Sequence, residues 1–255
     1  AGKDYGTFEA TKKLNMAGHS KWANIRHRKG AQDQKRGKIF TKIIKEITIS
    51  SRLGGGDVTA NPRLRKAISN AKSNNMPSDK IERAIKKGTG ELDGVVYDEI
   101  TYEGYGPRGV AIMMNVITDN KNRSVADIRH IFTKHNGNLG ESGSVSWIFE
   151  KKGQIIISSR SNDENVVFES ALEAGAKDFE KDNDIFIVST PPESLMQIRD
   201  VLNSKGYDIR SAEIEMVPKT LQKLEGKESE VALELLNALE DNDDVNKLYS
   251  NFYFD

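Results

Sequence analysis

Lysine and arginine are the residues of this sequence whose type and spacing point most clearly to a chemistry. Between His19 and Gly56 they far outnumber the acids, which are Asp33 and Glu46. At about 100° per residue, one helix face collects Ile39, Phe40, Ile43, Ile44 and Ile47, and the opposite face collects Lys35, Lys38, Lys42, Lys45 and Arg52. We predict a helix, ended by Gly54 to Gly56, with one side for a core and one side for a negatively charged partner.

Nucleic-acid phosphate suits such a face, because a helix surface of one charge sign is otherwise self-repelling. The residues that we assign to nucleic-acid binding are Lys21, Trp22, Asn24, Arg26, His27, Arg28, Lys29, Lys35, Arg36, Lys38, Lys42, Lys45, Arg63 and Arg65. Base edges in DNA could be read by Asn24, Arg26, Arg28, Gln32 and Gln34. Trp22 and His27 could stack on the bases of folded RNA. The alternatives are a solvated helix face and, for Trp22, a place in a core.

The sequence contains few residues that could act as catalytic groups. The chain has four histidines and no cysteine, and no acid–base cluster at a recognisable spacing, so we predict no enzyme activity, cofactor or metal site. The segment Gly104 to Gly109 matches G-x-G-x-x-G, but a strand rather than a helix follows, so we interpret it as a hairpin loop. The aspartates near 182 and 241 lack the spacing of a calcium loop, and turn chemistry explains them better.

Charge is divided unevenly along the chain. Residues 16–90 carry 18 Lys+Arg and 5 Asp+Glu, a net charge of +13, whereas residues 91–255 carry a net charge of −14. This asymmetry indicates a nucleic-acid partner for the N-terminal part. No apolar run approaches the roughly 18 residues of a membrane span. We therefore expect a soluble, cytoplasmic protein, monomeric rather than oligomeric, without a membrane or small-molecule partner.

The order of the expected elements predicts an α+β fold with several domains. A basic helical bundle is expected at 16–93, preceded by a disordered extension, residues 1–15, ahead of a natural start at Met16. Residues 94–150 and 219–255 should form a discontinuous α/β domain, in which a strand over Ser144 to Phe149 carries Trp147. Residues 151–218 have the order β-α-β-β-α-β, which predicts an inserted ferredoxin-like domain.

Short motifs along the chain resemble those of the YebC family. They are Met16-Ala17-Gly18-His19-Ser20-Lys21-Trp22, Asn61-Pro62-Arg63-Leu64-Arg65, Asn74-Asn75-Met76-Pro77, Tyr102-Glu103-Gly104-Tyr105-Gly106-Pro107 and Gly137-Asn138-Leu139-Gly140. The resemblance implies a basic helical N-terminal domain and two mixed α/β domains, the last inserted into the second. It also implies a cytoplasmic transcriptional regulator that binds DNA, although relatives that include a mitochondrial translational activator act on the ribosome. The family has no established catalytic residues to carry over.

The two nucleic-acid functions share their physics, because contacts to phosphate weaken with salt on DNA and RNA alike. We predict a nucleic-acid-binding regulator of gene expression, in the first instance a DNA-binding transcriptional regulator. The alternative is a translation factor that binds RNA or the ribosome through the same basic domain. Replacing Lys38, Lys42 and Lys45 by Glu is expected to abolish binding and to leave the fold intact.

Overall fold

The computed structural model describes residues 36–160 and 162–253. These residues form two compact units, each built from two stretches of the chain. The first unit contains residues 36–146 and 225–250, and the second contains residues 147–224 and 251–253. The predicted α+β fold class is confirmed, whereas the boundaries of three domains remain a prediction.

Helices and strands are numbered in chain order. The helices are α1 (Arg36–Gly54), α2 (Pro62–Ser73), α3 (Ser78–Thr89), α4 (Lys121–Lys134), α5 (Glu164–Glu173), α6 (Leu195–Ser204) and α7 (Gly226–Glu240). The strands are β1 (Asp98–Tyr105), β2 (Ala111–Thr118), β3 (Asn138–Leu139), β4 (Phe149–Ser158), β5 (Asp178–Asp182), β6 (Ile185–Thr190), β7 (Ile209–Pro218), β8 (Gln222–Lys223), β9 (Val245–Ser250) and β10 (Phe252–Tyr253). Within these ranges, no helix combines the length and the apolar composition that crossing a bilayer requires.

Helices α1, α2 and α3 pack around one apolar core, as their sequence periodicity predicts. The Asn61 side chain accepts a hydrogen bond from the N–H of Leu64 at the start of α2, and it donates to the carbonyls of Ser50 and Gly55. It therefore ties the start of α2 to the end of α1. The buried core consists of Ile43, Ile47, Leu64, Ala67, Ile68, Ala71, Met76, Ile81 and Ala84.

Helices α1 and α3 approach each other closely at Gly88. A Cβ atom at this position would lie 2.3 Å from the carbonyl oxygen of Thr48 and 2.7 Å from the Cβ of Ser51. The sequence suggests that Gly88 ends the helix, but α3 continues to Thr89 and is ended by Gly90 at φ +84°. Gly88 is therefore a packing residue, because a side chain there would hold the two helices apart.

The first unit also contains a four-stranded antiparallel sheet in the order β3-β1-β2-β9. β1 and β2 pair along their whole length, and the connection between them contains a 3₁₀ turn at Pro107–Gly109. The G-x-G-x-x-G segment is therefore a hairpin loop, as predicted. Phe132 of α4 lies against Gly104 of β1, and Leu235 of α7 lies against Gly106, so both helices pack near this hairpin.

Glu103 on β1 fixes the loop that follows β3. Its buried carboxylate accepts hydrogen bonds from the backbone N–H groups of Gly143 (2.9 Å), Val145 (2.7 Å) and Ser146 (2.8 Å). Burial alone would raise the pKa of Glu103, but these donors outweigh burial, so the pKa is lowered. The buried charge of Glu103 therefore shapes a loop and is not available as a general acid at neutral pH.

The second unit has the β-α-β-β-α-β order that its sequence predicts. Its sheet runs β5-β6-β4-β7 with every neighbouring pair antiparallel, the arrangement of a ferredoxin-like sandwich. The core consists of Ile155, Ile157, Val167, Ala171, Ala176, Phe186, Val188, Leu195, Ile198 and Leu202. The ferredoxin-like prediction is confirmed, although β4 begins at Phe149, two residues before the predicted start of the inserted domain at residue 151.

The expected strand over Ser144 to Phe149 is wrong. The chain forms a 3₁₀ turn at Ser146–Ile148 and enters β4 at Phe149. Val145, Ile148 and Phe149 are buried, whereas Trp147 is 68% exposed. The apolar and aromatic content of the segment favours a strand, but its buried residues do not alternate with exposed ones as a half-buried strand requires.

Candidate nucleic-acid interface

Most of the predicted site residues precede the described part of the chain. Lys21, Trp22, Asn24, Arg26, His27, Arg28, Lys29 and Lys35 lie outside the described residues, as does the side chain of Arg36. Their assignment to nucleic-acid binding stays a prediction from the sequence. The remaining five, which are Lys38, Lys42, Lys45, Arg63 and Arg65, can be placed.

Lys38, Lys42 and Lys45 form a row along one side of α1, named here the lysine row. All three ammonium groups donate to main-chain carbonyls within residues 240–243, at the C-terminal end of α7. The distance from Nζ to the carbonyl oxygen is 3.0 Å for both Lys38 and Lys45. The last carbonyls of a helix have no partner within the helix and carry partial negative charge. Lys38 and Lys42 therefore cap α7, and Lys45 binds the loop that follows it.

The lysine row ends in a buried ion pair between Lys45 and Asp244. The Asp244 carboxylate also accepts hydrogen bonds from the Ser124 hydroxyl and the Arg123 guanidinium, near the start of α4. Burial acts to raise the pKa of Asp244, but the donors Lys45, Ser124 and Arg123 outweigh it, so the pKa is lowered. One buried carboxylate thus joins α1, α4 and the loop after α7.

The prediction that the lysine row faces outward is therefore wrong for Lys42 and Lys45. Lys45 is buried, Lys42 is half-buried and Lys38 is exposed at the end of the row. Burial lowers the pKa of Lys42, and the nearby carboxylates of Glu240 and Asp243 oppose that shift. Helix α1 has the apolar core on one side and the end of α7 on the other. The part of its cationic side from Lys38 to Lys45 consequently binds its own chain.

Arg63 is also paired within the chain. Its guanidinium donates two hydrogen bonds to Glu46, at 2.7 and 3.1 Å, and two to Glu99, at 2.8 and 3.0 Å. Its hydrogen bonds to Glu46 and then to Glu99 raise its pKa against the effect of burial. Two acids around one arginine offset its positive charge, so Arg63 is poorly placed to bind a phosphate, and its assignment to nucleic-acid binding stays a prediction from the sequence. Arg65 is exposed and donates to two loop carbonyls, which do not cancel its charge.

Cations on the outward faces of α2 and α3 are better placed for a ligand. Arg65 and Lys72 share one face of α2, and Arg83 lies on the outward face of α3; all three are exposed. In the part of the chain that the structure describes, none of the three forms an ion pair with an acid. We name them the outward cations. Lys72 and Arg83 are absent from the sequence-predicted site, and their position opposite the apolar stripe of an amphipathic helix is the signal that identifies them.

A cleft of about 330 Å³ lies beside the lysine row. Its charged lining consists of Lys45, Arg123, Asp119, Asp127, Asp243 and Asp244. Four carboxylates outnumber two cations in this lining, so the cleft disfavours phosphate. Over residues 36–160 and 162–253, no group of three or more His, Asp or Glu side chains is arranged to hold a metal ion. The outward cations are therefore better suited to a polyanion than this cleft is.

Two family descriptions match the chain over most of its length. The "TACO1/YebC protein N-terminal domain" matches residues 20–91, and the "TACO1/YebC second and third domain" matches residues 97–252. The first match covers the basic residues 21–36 and helices α1 to α3, and the second covers both four-stranded sheets. The resemblance seen in the sequence motifs is confirmed.

Whole-chain relatives agree with the domain matches. A "Probable transcriptional regulatory protein" of Geotalea uraniireducens (strain Rf4) is 57% identical over 237 residues, which covers 93% of this chain and 96% of the relative. A protein of the same description from Dictyoglomus turgidum is 56% identical over 238 residues, with the same shares covered. The crystal structure of a conserved hypothetical protein from Aquifex aeolicus is 45% identical, covers 88% of this chain and 92% of its own, and superposes with a TM-score of 0.79. The chain belongs to the TACO1/YebC family.

Proposed function

We propose that this protein is a DNA-binding regulator of transcription. The observation that carries the proposal is an identity of 54% to 57%, over 93% of the chain, to relatives described as probable transcriptional regulatory proteins. The net charge of +13 over residues 16–90 supports a polyanionic ligand for the N-terminal part. Such a regulator must reach the chromosome, which favours the cytoplasm as its place of action.

The proposed footprint has two parts. The first is the basic segment of residues 21–36, which stands on its sequence alone. The second comprises the outward cations of α2 and α3, with Lys38 adding positive charge at the exposed end of the lysine row. Lys42, Lys45 and Arg63 are left out, because carbonyls and carboxylates of the same chain hold them.

The two parts of the footprint are suited to different tasks. Contacts to phosphate fix the position and orientation of a protein on the duplex, whereas contacts to base edges read sequence. The outward cations lie on regular helices, so they can contact phosphates at fixed spacing. Asn24, Arg26, Arg28, Gln32 and Gln34 are among the side chains of the basic segment that can make bidentate contacts to adenine or guanine. Sequence preference should therefore depend on the segment before α1 more than on α2 and α3.

The salt dependence of DNA binding tests this proposal. A labelled duplex is titrated with the full chain at several salt concentrations, and fluorescence anisotropy reports the affinity. Each phosphate contact contributes about −0.9 to the slope of log affinity against log salt, so the three outward cations alone predict a slope of about −2.7. We expect the measured slope to be at least that steep. We also expect unlabelled DNA to compete better than RNA of the same length.

Two results would contradict the proposal. One is the absence of duplex binding at low salt, where electrostatic attraction is strongest. The other is a consistent preference for RNA over DNA in the competition. That result would favour a function in translation that uses the same basic footprint. A sequence-independent affinity would be compatible with phosphate contacts but would remove the proposed reading role of the basic segment.

A further inference from the structure

A groove of about 200 Å³ lies near the C-terminal ends of α1 and α3 in the first unit. Its walls are one side of α1 near Ile49, the end of α3 and residues 92–97, which lead into β1. Leu92, Val95 and Val96 line the groove and are 42%, 49% and 66% exposed. Apolar side chains that are grouped on the surface in this way are typical of an interaction site. We name it the Val95 groove.

The segment that forms one wall of the Val95 groove is held at both ends but not between them. At one end, the N–H of Leu92 donates to the carbonyl of Lys86 in α3 (3.1 Å). At the other end, β1 begins at Asp98 and pairs with β2. Between these points, the backbone of residues 93–96 makes no hydrogen bond within the described part of the chain. Unpaired N–H and C=O groups in such a segment can pair with a strand from another chain.

Two cations border the Val95 groove. Arg52 continues the cationic face of α1 beyond the lysine row, and Lys87 lies in the last turn of α3. The close helix crossing at Gly88 brings them together, because a Cβ at Gly88 would lie 3.2 Å from the backbone nitrogen of Arg52. Over residues 36–160 and 162–253, neither side chain forms an ion pair or a hydrogen bond. Among the described residues that line the groove, Asp93 is the only acid, so the lining is positive overall.

We propose that the Val95 groove binds an acidic segment of a partner protein. The segment adds as an extended strand to residues 93–96, and one of its apolar side chains enters the groove. Its carboxylates pair with Arg52 and Lys87. Main-chain hydrogen bonds combined with a side-chain pocket are a recurring mode of peptide recognition. The inference goes beyond the proposed DNA binding, because neither cation belongs to the proposed footprint.

Size and charge argue against other occupants. Pockets for small-molecule ligands measure about 300 to 1,000 Å³, so a groove of about 200 Å³ suits a side chain better than a whole cofactor. Residues 1–35 of this chain carry 8 Lys+Arg and 3 Asp+Glu, so they would meet like charge in the groove. A nucleic acid could contact the two cations but could not form strand hydrogen bonds with residues 93–96.

Binding of a synthetic peptide to the full chain tests the inference. A labelled peptide of about six residues that alternates Glu and Val represents the acidic strand. A peptide of the same length that alternates Lys and Val is its control. Fluorescence anisotropy gives both affinities. We expect the acidic peptide to bind roughly 10-fold or more tightly than the basic one, and its affinity to fall as salt is added.

Variants of the two cations separate this site from the proposed footprint. Replacing Arg52 and Lys87 together by Gln should weaken binding of the acidic peptide by roughly 2- to 30-fold, because two partly exposed ion pairs are lost. The matched control replaces Arg65 and Lys72, two exposed cations of α2, by Gln and should leave this affinity unchanged. The variant of Arg52 and Lys87 should keep the DNA salt slope of wild type. Thermal unfolding by circular dichroism shows that each variant is folded.

Hydrogen exchange locates the bound peptide. The N–H groups of residues 93–96 have no partner within the described chain, so they should exchange fast in the free protein. About half of them should become protected when the acidic peptide is bound, because neighbouring N–H groups of a strand point to opposite sides. Mass spectrometry of the exchanged protein measures this protection.

The outcomes distinguish this inference from the proposed function. The inference is overturned if the two peptides bind equally, if the variant of Arg52 and Lys87 binds the acidic peptide as tightly as wild type, or if residues 93–96 are not protected. It is also overturned if this variant loses DNA salt dependence while the acidic peptide does not bind wild type, because the groove would then belong to the nucleic-acid surface. Binding of the acidic peptide in a chain that binds no duplex would support this inference and overturn the proposed function alone.

Discussion

The positive charge of Lys45 is buried in an ion pair and is therefore not accessible to a ligand. It is 8% exposed and pairs with Asp244, which also holds Ser124 and Arg123. Removing one partner of a buried pair leaves the other charge uncompensated. We expect Lys45→Met to lower the free energy of unfolding by about 3 kcal/mol at neutral pH, measured by urea denaturation.

The pH dependence and a matched variant make this prediction specific. Against the effect of burial, Lys45 helps to keep the pKa of Asp244 low, so the stability from the pair is present above the unfolded pKa and is lost as the pH falls. The gap between wild type and Lys45→Met should therefore shrink below about pH 4. Lys38→Met, in the same row but exposed, should lose less than about 1 kcal/mol. Equal losses in the two variants would rule out the buried pair as the cause.

Glu180 gives the opposite dependence on pH. Burial and then the neighbouring Asp178 raise its pKa to about 7, with Asp182 adding to the shift and Lys152 opposing it. Between about pH 4.5 and 7 the folded state keeps a proton that the unfolded state has lost, so stability falls as the pH rises through this range. We expect Glu180→Gln to stabilise the protein by roughly 1 to 2 kcal/mol at pH 8 and by nothing at pH 4. Parallel stability curves for the two proteins would contradict the raised pKa.

At the level of single residues, the sequence predicts charge and helix face but not the partner. The apolar stripe through Ile43 and Ile47 follows from periodicity, and these residues are in the core. The carbonyls that bind the lysine row have no sequence signature, and the carbonyl that accepts from Lys45 lies 198 residues further along the chain. The pairing of Arg63 with Glu99 is hidden in the same way, because the two lie 36 residues apart on different elements.

Among the elements, the crossing of α1 and α3 depends on the missing side chain at Gly88. Helix propensity alone would make Gly88→Ala stabilising by about 1 kcal/mol. The added Cβ, however, would lie 2.3 Å from a backbone oxygen of α1, which cannot move without displacing the helix. We expect the clash to dominate and Gly88→Ala to lower the free energy of unfolding by about 3 kcal/mol in urea denaturation.

Gly37→Ala is the matched control for this crossing. Gly37 also lies within a helix, α1, but a Cβ there would meet nothing within 4 Å. Propensity is then unopposed, and this variant should gain roughly 0.5 to 1 kcal/mol. A loss of stability in Gly37→Ala, or a gain in Gly88→Ala, would show that the helix crossing is looser than the structure indicates.

The sequence predicts the type of each element better than it predicts which surfaces of that element are buried. Periodicity predicts α1, α2 and α3 and the ferredoxin-like order, because each element has a clear apolar stripe. The turn at Ser146–Ile148 is missed, since a short apolar run with aromatic residues is compatible with either a strand or a packed turn. The second buried side of α1 is missed for a different reason. A charged face that packs on a helix end has the same sequence pattern as a charged face in water.

For the molecule as a whole, the net positive charge counted from the N-terminal sequence is larger than the positive charge that is accessible to a ligand. The +13 of residues 16–90 includes Lys42, Lys45 and Arg63, which are held by carbonyls and acids of the first unit. What remains is the basic segment before α1 and the outward cations of α2 and α3. The sequence thus predicts where the positive charge lies along the chain. It does not predict which of these cations are held by contacts within the fold and which remain available to a ligand, because those contacts join residues nearly 200 positions apart.

The most direct test of this division compares the salt dependence of duplex DNA affinity in three variants. The first replaces the outward cations together by Gln, at Arg65, Lys72 and Arg83. The second is Lys42→Met, which alters the lysine row. The third is a matched control that replaces three lysines outside the proposed footprint by Gln, at Lys177, Lys205 and Lys227.

We predict that the outward variant binds DNA more weakly and that its salt slope is shallower by about 2.7, because three phosphate contacts are lost. Lys42→Met and the control variant should keep the slope of wild type, although Lys42→Met should be less stable in urea. An unchanged slope in the outward variant together with a shallower slope in Lys42→Met would contradict the account, because it would return the lysine row to the DNA-binding surface.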